Sequence, residues 1–143
     1  MNAVAEKPVV EPRAVNLVPL NTYWPGKGGI FRGIIPGKDG APDRLLFEHT
    51  EAFAKAPWQA QLDAAAALEV EGHKDFQLPD EVEAAVIYGV AKAEHEPYWH
   101  WLRTQPAESP SYAWLQHFSS GSQYDTRKVN DGRARAVRSE AIQ

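Results

Sequence analysis

The sequence predicts an α+β domain with two helices and short antiparallel sheets. Two helix-forming segments lie between an N-terminal β-hairpin pattern and a C-terminal series of short aromatic strands, an order typical of α+β architecture. With 143 residues, the chain is long enough to bury one core without disulfides or metals. We therefore expect an extended N-terminal arm over residues 1–20 and one domain over residues 21–143.

The first twenty residues show neither a helical nor an alternating pattern. Pro8, Pro12 and Pro19 favour an extended arm. The arm also carries apolar side chains, namely Val9, Val10, Val15, Leu17 and Val18. It is either a frayed terminus or a strap against a neighbouring subunit, and the strap predicts a homo-oligomer.

A β-hairpin is predicted next. The apolar runs 30–35 and 44–48 flank a segment rich in Gly, Asp and Pro, which is typical of a hairpin loop. The preceding residues, 23–29, combine glycines with Lys27. A phosphate loop would need a different spacing and a following helix, so we do not assign one.

Two helices follow. The first is predicted over residues 56–69, with Pro57 in its first turn and Trp58, Leu62, Ala65 and Ala66 along one face. Residues 70–77 form a connector, in which Gly72 is the stop signal for the helix. The second helix is predicted over residues 80–93, where Asp80, Glu81 and Glu83 suit the positive N-terminal end.

The C-terminal part is organised by tryptophan strands at Tyr98–Trp101 and 111–118, a turn at 119–122 and a final stretch at 132–138. Alternation places Trp114 and Gln116 on one face and Leu115 on the other. Neither face is wholly polar, which indicates that both are covered, or that a partner lies beside the strand. The predicted core comprises Trp24, Trp58, Trp101, Trp114 and Phe118.

Composition excludes several functions. The chain has no cysteine, so disulfides, thiolate metal sites and a cysteine nucleophile are absent. A net charge of −4 gives no general attraction for nucleic acid. The sequence has no signal-peptide pattern and no apolar run long enough for membrane insertion, so we expect synthesis and assembly in a cytoplasm.

No motif predicts catalysis. The five histidines are scattered, which does not indicate a metal site, and no Gly-x-Ser-x-Gly elbow occurs. The basic residues 127–138 favour a solvated or ion-paired strand face over a nucleic-acid patch. We therefore expect no enzyme activity, no cofactor and no metal.

Several motifs together resemble the Lcl family. They are Trp58 with the alanine-rich helix, residues 72–79, Glu81, residues 98–101, residues 111–118, Gly121 and residues 133–138. The family consists of C-type-lectin-fold domains in phage and bacterial surface proteins. It is distantly similar to the formylglycine-generating sulfatase modifiers and to the variable receptor-binding proteins of diversity-generating retroelements.

The resemblance covers about residues 21–138 and has departures. The family's Trp-Ser-Ser-Thr type of run reads Trp101-Leu102-Arg103-Thr104-Gln105 here. Without cysteines, the copper-dependent oxidation of the formylglycine generators does not carry over. The calcium motifs of sugar-binding lectins are also missing: no Glu-Pro-Asn occurs, and Val129-Asn130-Asp131 lacks the tryptophan.

The resemblance implies a C-type-lectin-like fold whose loops meet a ligand. The implied contact residues are Arg103, Gln105, Tyr112, His117, Ser120, Gln123 and Tyr124. Their residue types suit adaptable recognition, although Tyr112 and Tyr124 equally fit a core.

The predicted function is that of a non-enzymatic phage or phage-like virion surface protein. It would sit in a tail tip, a fibre or a capsid decoration, serve host recognition or assembly, and meet other virion proteins and a protein or glycan receptor. Two alternatives are an intracellular enzyme or modifier on a formylglycine-generating-enzyme-like fold and a purely architectural virion subunit. An enzyme would require a concave pocket with a perturbed acid or histidine.

Overall fold

A computed structural model describes residues 16–143, which form nine strands and two α-helices. The strands are β1 Tyr23–Trp24, β2 Gly29–Ile35, β3 Arg44–Glu48, β4 Phe53–Ala56, β5 Trp99–Trp101, β6 Tyr112–His117, β7 Gln123–Arg127, β8 Gly132–Ala134 and β9 Val137–Ala141. The helices are α1 Trp58–Ala67 and α2 Glu81–Ala91, and a 3₁₀ turn, Lys92–Glu94, follows α2. This arrangement confirms the predicted α+β class.

The strands form two sheets. The first has the order β1-β2-β3-β9 and is antiparallel throughout, with β2 and β3 forming the predicted hairpin. The second has the order β4-β8-β5-β6-β7 and is antiparallel except where β5 runs parallel to β8. The turn between β6 and β7 lies where the sequence predicts it. Consecutive strands β8 and β9 lie in different sheets, so residues 135–136 connect the two.

Local sequence explains both helices. Asp80 caps α2, because its carboxylate accepts a hydrogen bond from the Glu83 amide while the Glu83 carboxylate accepts one from the Asp80 amide. α1 follows Pro57 and ends at Ala67, well before Gly72. Ala66 is exposed, whereas Gln61 is buried and its amide donates to the carbonyls of Ala54 and Gly132. The helix therefore buries a polar side chain, Gln61, that the predicted apolar face did not include.

Three apolar clusters fill the interior. The largest packs α1 against the second sheet and contains Trp58, Ala65, Phe76, Leu78, Trp101, Ala113, Leu115, Ala134 and Ala136. A second cluster joins α2 to both sheets, with Ile35, Leu46, Ile87, Ala91, Phe118 and Val137. The third, made of Phe31, Leu45 and Phe47, lies under Trp24. The two helices therefore pack on opposite faces of the second sheet.

Both faces of β6 are covered, as its residue alternation predicts. Leu115 belongs to the cluster under α1, and the neighbouring Gln116 donates from its side chain to the carbonyl of Ala84 in α2. The same alternation governs β5, where Trp101 faces α1 and His100 faces the opposite side. The second sheet is therefore a central layer with different chemistry on each face.

The tryptophans differ in burial. Trp58 and Trp101 are buried, and their indole nitrogens donate to the carbonyls of Leu102 and Ala56. Trp24 is half-buried and meets Phe31 edge-on at 5.4 Å between ring centroids. Trp114 is half-buried and belongs to none of the three clusters. Phe118 is buried in the second cluster.

The glycine-rich entry to β2 binds an internal carboxylate. The amides of Gly26 and Gly28 and the hydroxyl of Tyr23 all donate to Glu71, at 2.9, 2.9 and 2.6 Å. These hydrogen bonds lower the pKa of Glu71. Because the Glu71 carboxylate already meets the loop amides, the structure agrees with the absence of a phosphate loop.

Most of the predicted arm, residues 1–15, lies outside the described residues. Of the remainder, Val18 packs against the third cluster, while Leu17 and Leu20 are about half exposed. The strap against another subunit stays a prediction. In residues 16–143, neither helix has the length and apolar character needed to cross a bilayer.

Candidate functional site

Two of the seven predicted contact residues are tied into the fold. Arg103 donates to the carbonyl of Leu78 and to the Glu83 carboxylate, at 2.8 and 2.7 Å, and also pairs with Asp80. Burial favours neutral Glu83, but the hydrogen bonds from Arg103 and from the Asp80 amide outweigh it and lower the pKa of Glu83. Gln123 donates to the carbonyl of Glu81 and to the side chain of Gln116. Arg103 and Gln123 thus hold α2 on the second sheet.

Three further predicted residues lie near the two ends of β6. The Gln105 amide oxygen accepts a hydrogen bond from the ammonium of Lys128 at 2.6 Å. Ser120 lies in the turn after β6, where its hydroxyl donates to that of Ser122. Tyr112 is half-buried at the start of β6, opposite Arg127 of β7. Gln105 and Tyr112 therefore lie near the start of β6, since the amide of Lys128 also donates to the carbonyl of Ser111, whereas Ser120 follows the other end of the strand.

Tyr124 and His117 lie beside Trp99, and Trp99 and Tyr124 line a depression in the surface. Trp99 pairs with His117 across β5 and β6, with ring centroids 4.9 Å apart, and meets Tyr124 edge-on at 5.7 Å. Tyr124 is 61% exposed. The depression, called here the aromatic groove, has a volume of about 340 Å³ and is lined by Trp99, Leu115, Tyr124, Asp125, Thr126, Asn130 and Asp131.

The aromatic groove combines flat apolar surface with polar hydrogen-bonding groups. Its aromatic rings offer contact area that loses little conformational entropy on binding. Asp125, Asn130 and Asp131 add acceptors and an amide at the rim, and all three are exposed. α1 covers the same sheet face near Trp101 but leaves this end open. Such a surface can bind a partner by stacking and hydrogen bonding.

A second depression, called here the polar cleft, lies on the opposite face of β5. Its volume is about 630 Å³, and its walls come from Thr50, residues 52–55, residues 94–96, His100, Arg133 and Arg135. None of these residues is in the predicted contact set. They come from segments far apart in the sequence, so their convergence depends on the pairing of β4, β8 and β5.

Among the titratable groups of the cleft wall, His100 has the pKa that departs most from its ordinary value. Burial, with smaller contributions from the nearby positive charges of His95 and Arg133, lowers the pKa of His100 to about 4. Its Nδ1 lies 3.0 Å from the carbonyl of Tyr98. Because a carbonyl only accepts, Nδ1 carries the proton of the neutral ring and Nε2 holds a lone pair.

Behind the cleft lies a network of buried charges around Glu48. One oxygen of the Glu48 carboxylate accepts from Arg32 Nε at 2.9 Å, and the other lies 2.7 Å from His95 Nε2 and 3.9 Å from Arg135 Nε. Burial alone would raise the pKa of Glu48, but the hydrogen bond and charge of His95, then Arg135 and Arg32, hold it below its ordinary value. Glu48 therefore remains ionised inside the protein.

His95 joins the end of α2 to β3 through both of its ring nitrogens. Nε2 lies 2.7 Å from the Glu48 carboxylate, and Nδ1 lies 2.8 Å from the carbonyl of Ala91. The imidazole ring also stacks on Phe118, with 4.4 Å between ring centroids.

Arg32 has one buried guanidinium nitrogen that lacks a hydrogen-bond partner among the described residues. Its Nη2 lies 3.0 Å from the Glu94 carboxylate, yet the contact lacks hydrogen-bond geometry, and Nη2 is buried without a hydrogen-bond partner in residues 16–143. The ion pair still supplies favourable charge. Glu94 itself is 40% exposed on its side chain and reaches from the network to the wall of the cleft.

Three arginines of the basic C-terminal segment form ion pairs, which is one of the two outcomes that the sequence predicts. Arg133 pairs with Glu96, and Arg138 pairs with Asp75 and Glu140 at 2.8 and 2.9 Å. Arg135 donates to the carbonyls of His49, Glu94 and Thr50. Arg135 and Arg138 are buried, which the sequence pattern did not indicate.

Metal binding and sequence comparisons add no further assignment. Within the described residues, no cluster of three or more His, Asp or Glu side chains is arranged to hold a metal ion. A comparison with protein-family models finds no match, and neither does a comparison with curated proteins. The function must therefore be argued from the aromatic groove and the polar cleft.

Proposed function

We propose that this chain is a non-enzymatic recognition module that binds a partner through the aromatic groove. The observation that carries the proposal is the exposed Tyr124 ring beside Trp99, with carboxylates and an amide at the rim. Exposed aromatic rings surrounded by hydrogen-bonding groups are typical of recognition surfaces. The groove lies at the surface beside the exposed Tyr124 ring, which suits a projecting glycan or peptide segment.

The finer fold and the biological setting belong to the same proposal. Two helices packed on short sheets, with an open loop-bearing edge, are compatible with the C-type-lectin-like fold that the Lcl resemblance implies. That family occurs in phage and bacterial surface proteins. On this basis the chain is a virion surface protein, in a tail tip, fibre or capsid decoration, that contacts a host receptor.

Binding can be tested with Tyr124→Ala and a matched control. The wild-type chain is screened on a glycan array and on host cells, and the affinity for any ligand found is compared with that of Tyr124→Ala. Removing a central aromatic anchor should weaken binding by about tenfold or more. Val82→Ala, an exposed apolar residue of α2 outside the groove, should bind like wild type. Equal affinities of the wild type and Tyr124→Ala would contradict the proposal.

The virion setting needs a separate test. Particles purified through a density gradient should contain the chain, and its absence from all particles would reject the setting. If the chain enters particles but binds no glycan or cell, it is an architectural subunit. Deleting residues 2–15 tests the strap, since light scattering should then show a smaller assembly.

A second candidate is an enzyme or modifier on the same fold. The specific observation in its favour is the concave polar cleft with a buried neutral histidine, His100, since catalytic sites often contain such groups. His100→Asn would then abolish a turnover that Tyr124→Ala leaves intact. Tyr124→Ala and His100→Asn thus separate the two candidates, because they change opposite faces of the second sheet.

A further inference from the structure

We propose that the polar cleft binds a small organic anion, a carboxylate or phosphate ester, that carries a neighbouring hydroxyl group. Arg133 and Lys55 would bind the anionic group, and the Nε2 lone pair of His100 would accept a hydrogen bond from the hydroxyl group. The inference concerns the other face of β5 from the aromatic groove and does not depend on recognition at that groove.

Arg133 presents a guanidinium that is already held in place. Its Nε pairs with Glu96, and its guanidinium lies 4.2 Å from the centroid of the Tyr98 ring. In residues 16–143, its two Nη atoms have no hydrogen-bond partner. A planar fork fixed on one side and open on the other fits two oxygens of a carboxylate or phosphate. Arg133 is therefore suited to bidentate anion binding.

His100 lies next to Arg133 on the same face of the sheet. The two residues are partners in the parallel pairing of β5 with β8, so their side chains project in the same direction. His100 Nε2 has no hydrogen-bond partner in the described part of the chain, and it is not among the fully enclosed unpaired atoms. A ligand hydroxyl in the cleft can satisfy this acceptor.

The charges of the cleft favour an anion. Lys55, Arg133 and Arg135 line it against two carboxylates, Glu94 and Glu96, although the chain as a whole has a net charge of −4. Glu96 is committed to Arg133, and Glu94 lies against the buried Arg32. Lys55 is exposed and forms no ion pair within residues 16–143. The uncommitted charge at the cleft is therefore positive.

The volume and polarity of the cleft limit the size of the ligand. At about 630 Å³ it is large enough for a molecule with several hydroxyl groups. Phe53 adds an apolar wall. A hydroxy acid or a sugar phosphate shares the required chemistry, namely two or three negatively charged oxygens next to a hydroxyl donor.

The test uses isothermal titration calorimetry at low salt with defined probes. Glycerate and glycerol 3-phosphate represent the carboxylate and phosphate arms, and glycerol is the uncharged control. We expect at least one charged probe to bind and glycerol not to bind. Failure of both charged probes to bind at millimolar concentration overturns the proposal. Propionate should bind more weakly than glycerate, and equal affinities would overturn the role of His100.

Variants locate the site. Lys55→Gln and Arg133→Gln should each weaken binding of the charged probe by about tenfold. Lys38→Gln, which changes an exposed lysine in the β2–β3 loop, should leave binding unchanged. Because Lys55 is exposed, Lys55→Gln should fold normally, and it tests the site even if Arg133→Gln does not fold. If Lys55→Gln and Lys38→Gln have equal affinities, the anion binds elsewhere and the proposal is wrong.

Discussion

Mild acid should destabilise the protein through His100. Burial lowers the pKa of this histidine from 6.5 to about 4, so the unfolded chain takes up a proton at a pH where the folded chain does not. A histidine whose pKa is lower in the folded state than in the unfolded state contributes its full stabilisation only at pH values above the pKa of the unfolded state. This contribution is then lost progressively as the pH falls from 6.5 towards 4.

The size of the effect follows from the difference between the two pKa values. That difference corresponds to about 3 kcal/mol once both states have titrated, because each pH unit is worth about 1.4 kcal/mol. About 2 kcal/mol of this loss should fall between about pH 7 and about pH 5. Glu48 and Glu83 have lowered pKa values, so their contributions are present above 4.5 and vanish only at lower pH.

The assay compares urea unfolding of wild type and His100→Asn, followed by circular dichroism across this pH range. Asparagine keeps a donor near the carbonyl of Tyr98 but does not titrate. Burial also lowers the pKa of His49, but His49 is present in both proteins and its effect cancels. The wild type should lose about 2 kcal/mol more than the variant between about pH 7 and about pH 5.

Parallel pH dependence of the two proteins would refute this reasoning. A direct measurement covers the case in which His100→Asn does not fold. Nuclear magnetic resonance of the wild-type imidazole should show no protonation of His100 above about pH 5. A titration midpoint near the ordinary value of 6.5 would mean that the ring is solvated.

Three further substitutions and one control test the buried ion pair of Glu48, the close contact at Gly132 and the N-terminal cap of α2. Glu48→Gln should cost about 3–5 kcal/mol in urea unfolding, because it removes the buried carboxylate partner of Arg32 and leaves only the partly exposed Glu94 as its ion-pair partner; a cost below about 1 kcal/mol would contradict the network. Gly132→Ala should cost about 1–3 kcal/mol, since its Cβ would lie 2.8 Å from the indole nitrogen of the buried Trp101. The control Gly89→Ala, in an open helical position, should instead gain about 0.5–1 kcal/mol. Asp80→Ala should cost about 1 kcal/mol by removing the cap of α2, and an unchanged melting temperature would contradict that role.

The sequence predicts those parts of the fold that local rules determine. The β2–β3 hairpin follows from two apolar runs around a turn segment, and α2 begins at Asp80 because Glu83 completes a capping box. Strand β7, with the sequence Gln-Tyr-Asp-Thr-Arg, has only exposed and half-buried residues. Its pairing with β6 defines it, and no apolar alternation in the sequence indicates it.

The sites were predicted less completely, because they depend on contacts between distant segments. Glu48 and His95 are 47 residues apart, and neither has a neighbour in sequence that indicates a buried ion pair. Arg103 and Gln123 have residue types suited to binding, yet both hydrogen bond internally to α2 or the residues just before it. Tyr124 lines the aromatic groove because the predicted turn places β7 beside β6.

The short strand β5 explains how the second sheet provides two different surfaces. Alternation places Trp99 and Trp101 on one face and His100 on the other. Trp101 is wholly buried in the cluster that includes Trp58 and Ala65 of α1, and its indole lies against Gly132 of β8, which fixes the position of the strand. Trp99 can then line the aromatic groove while His100 lines the polar cleft. Because one rigid backbone positions both side chains, the groove and the cleft differ in chemistry but share the same structural support.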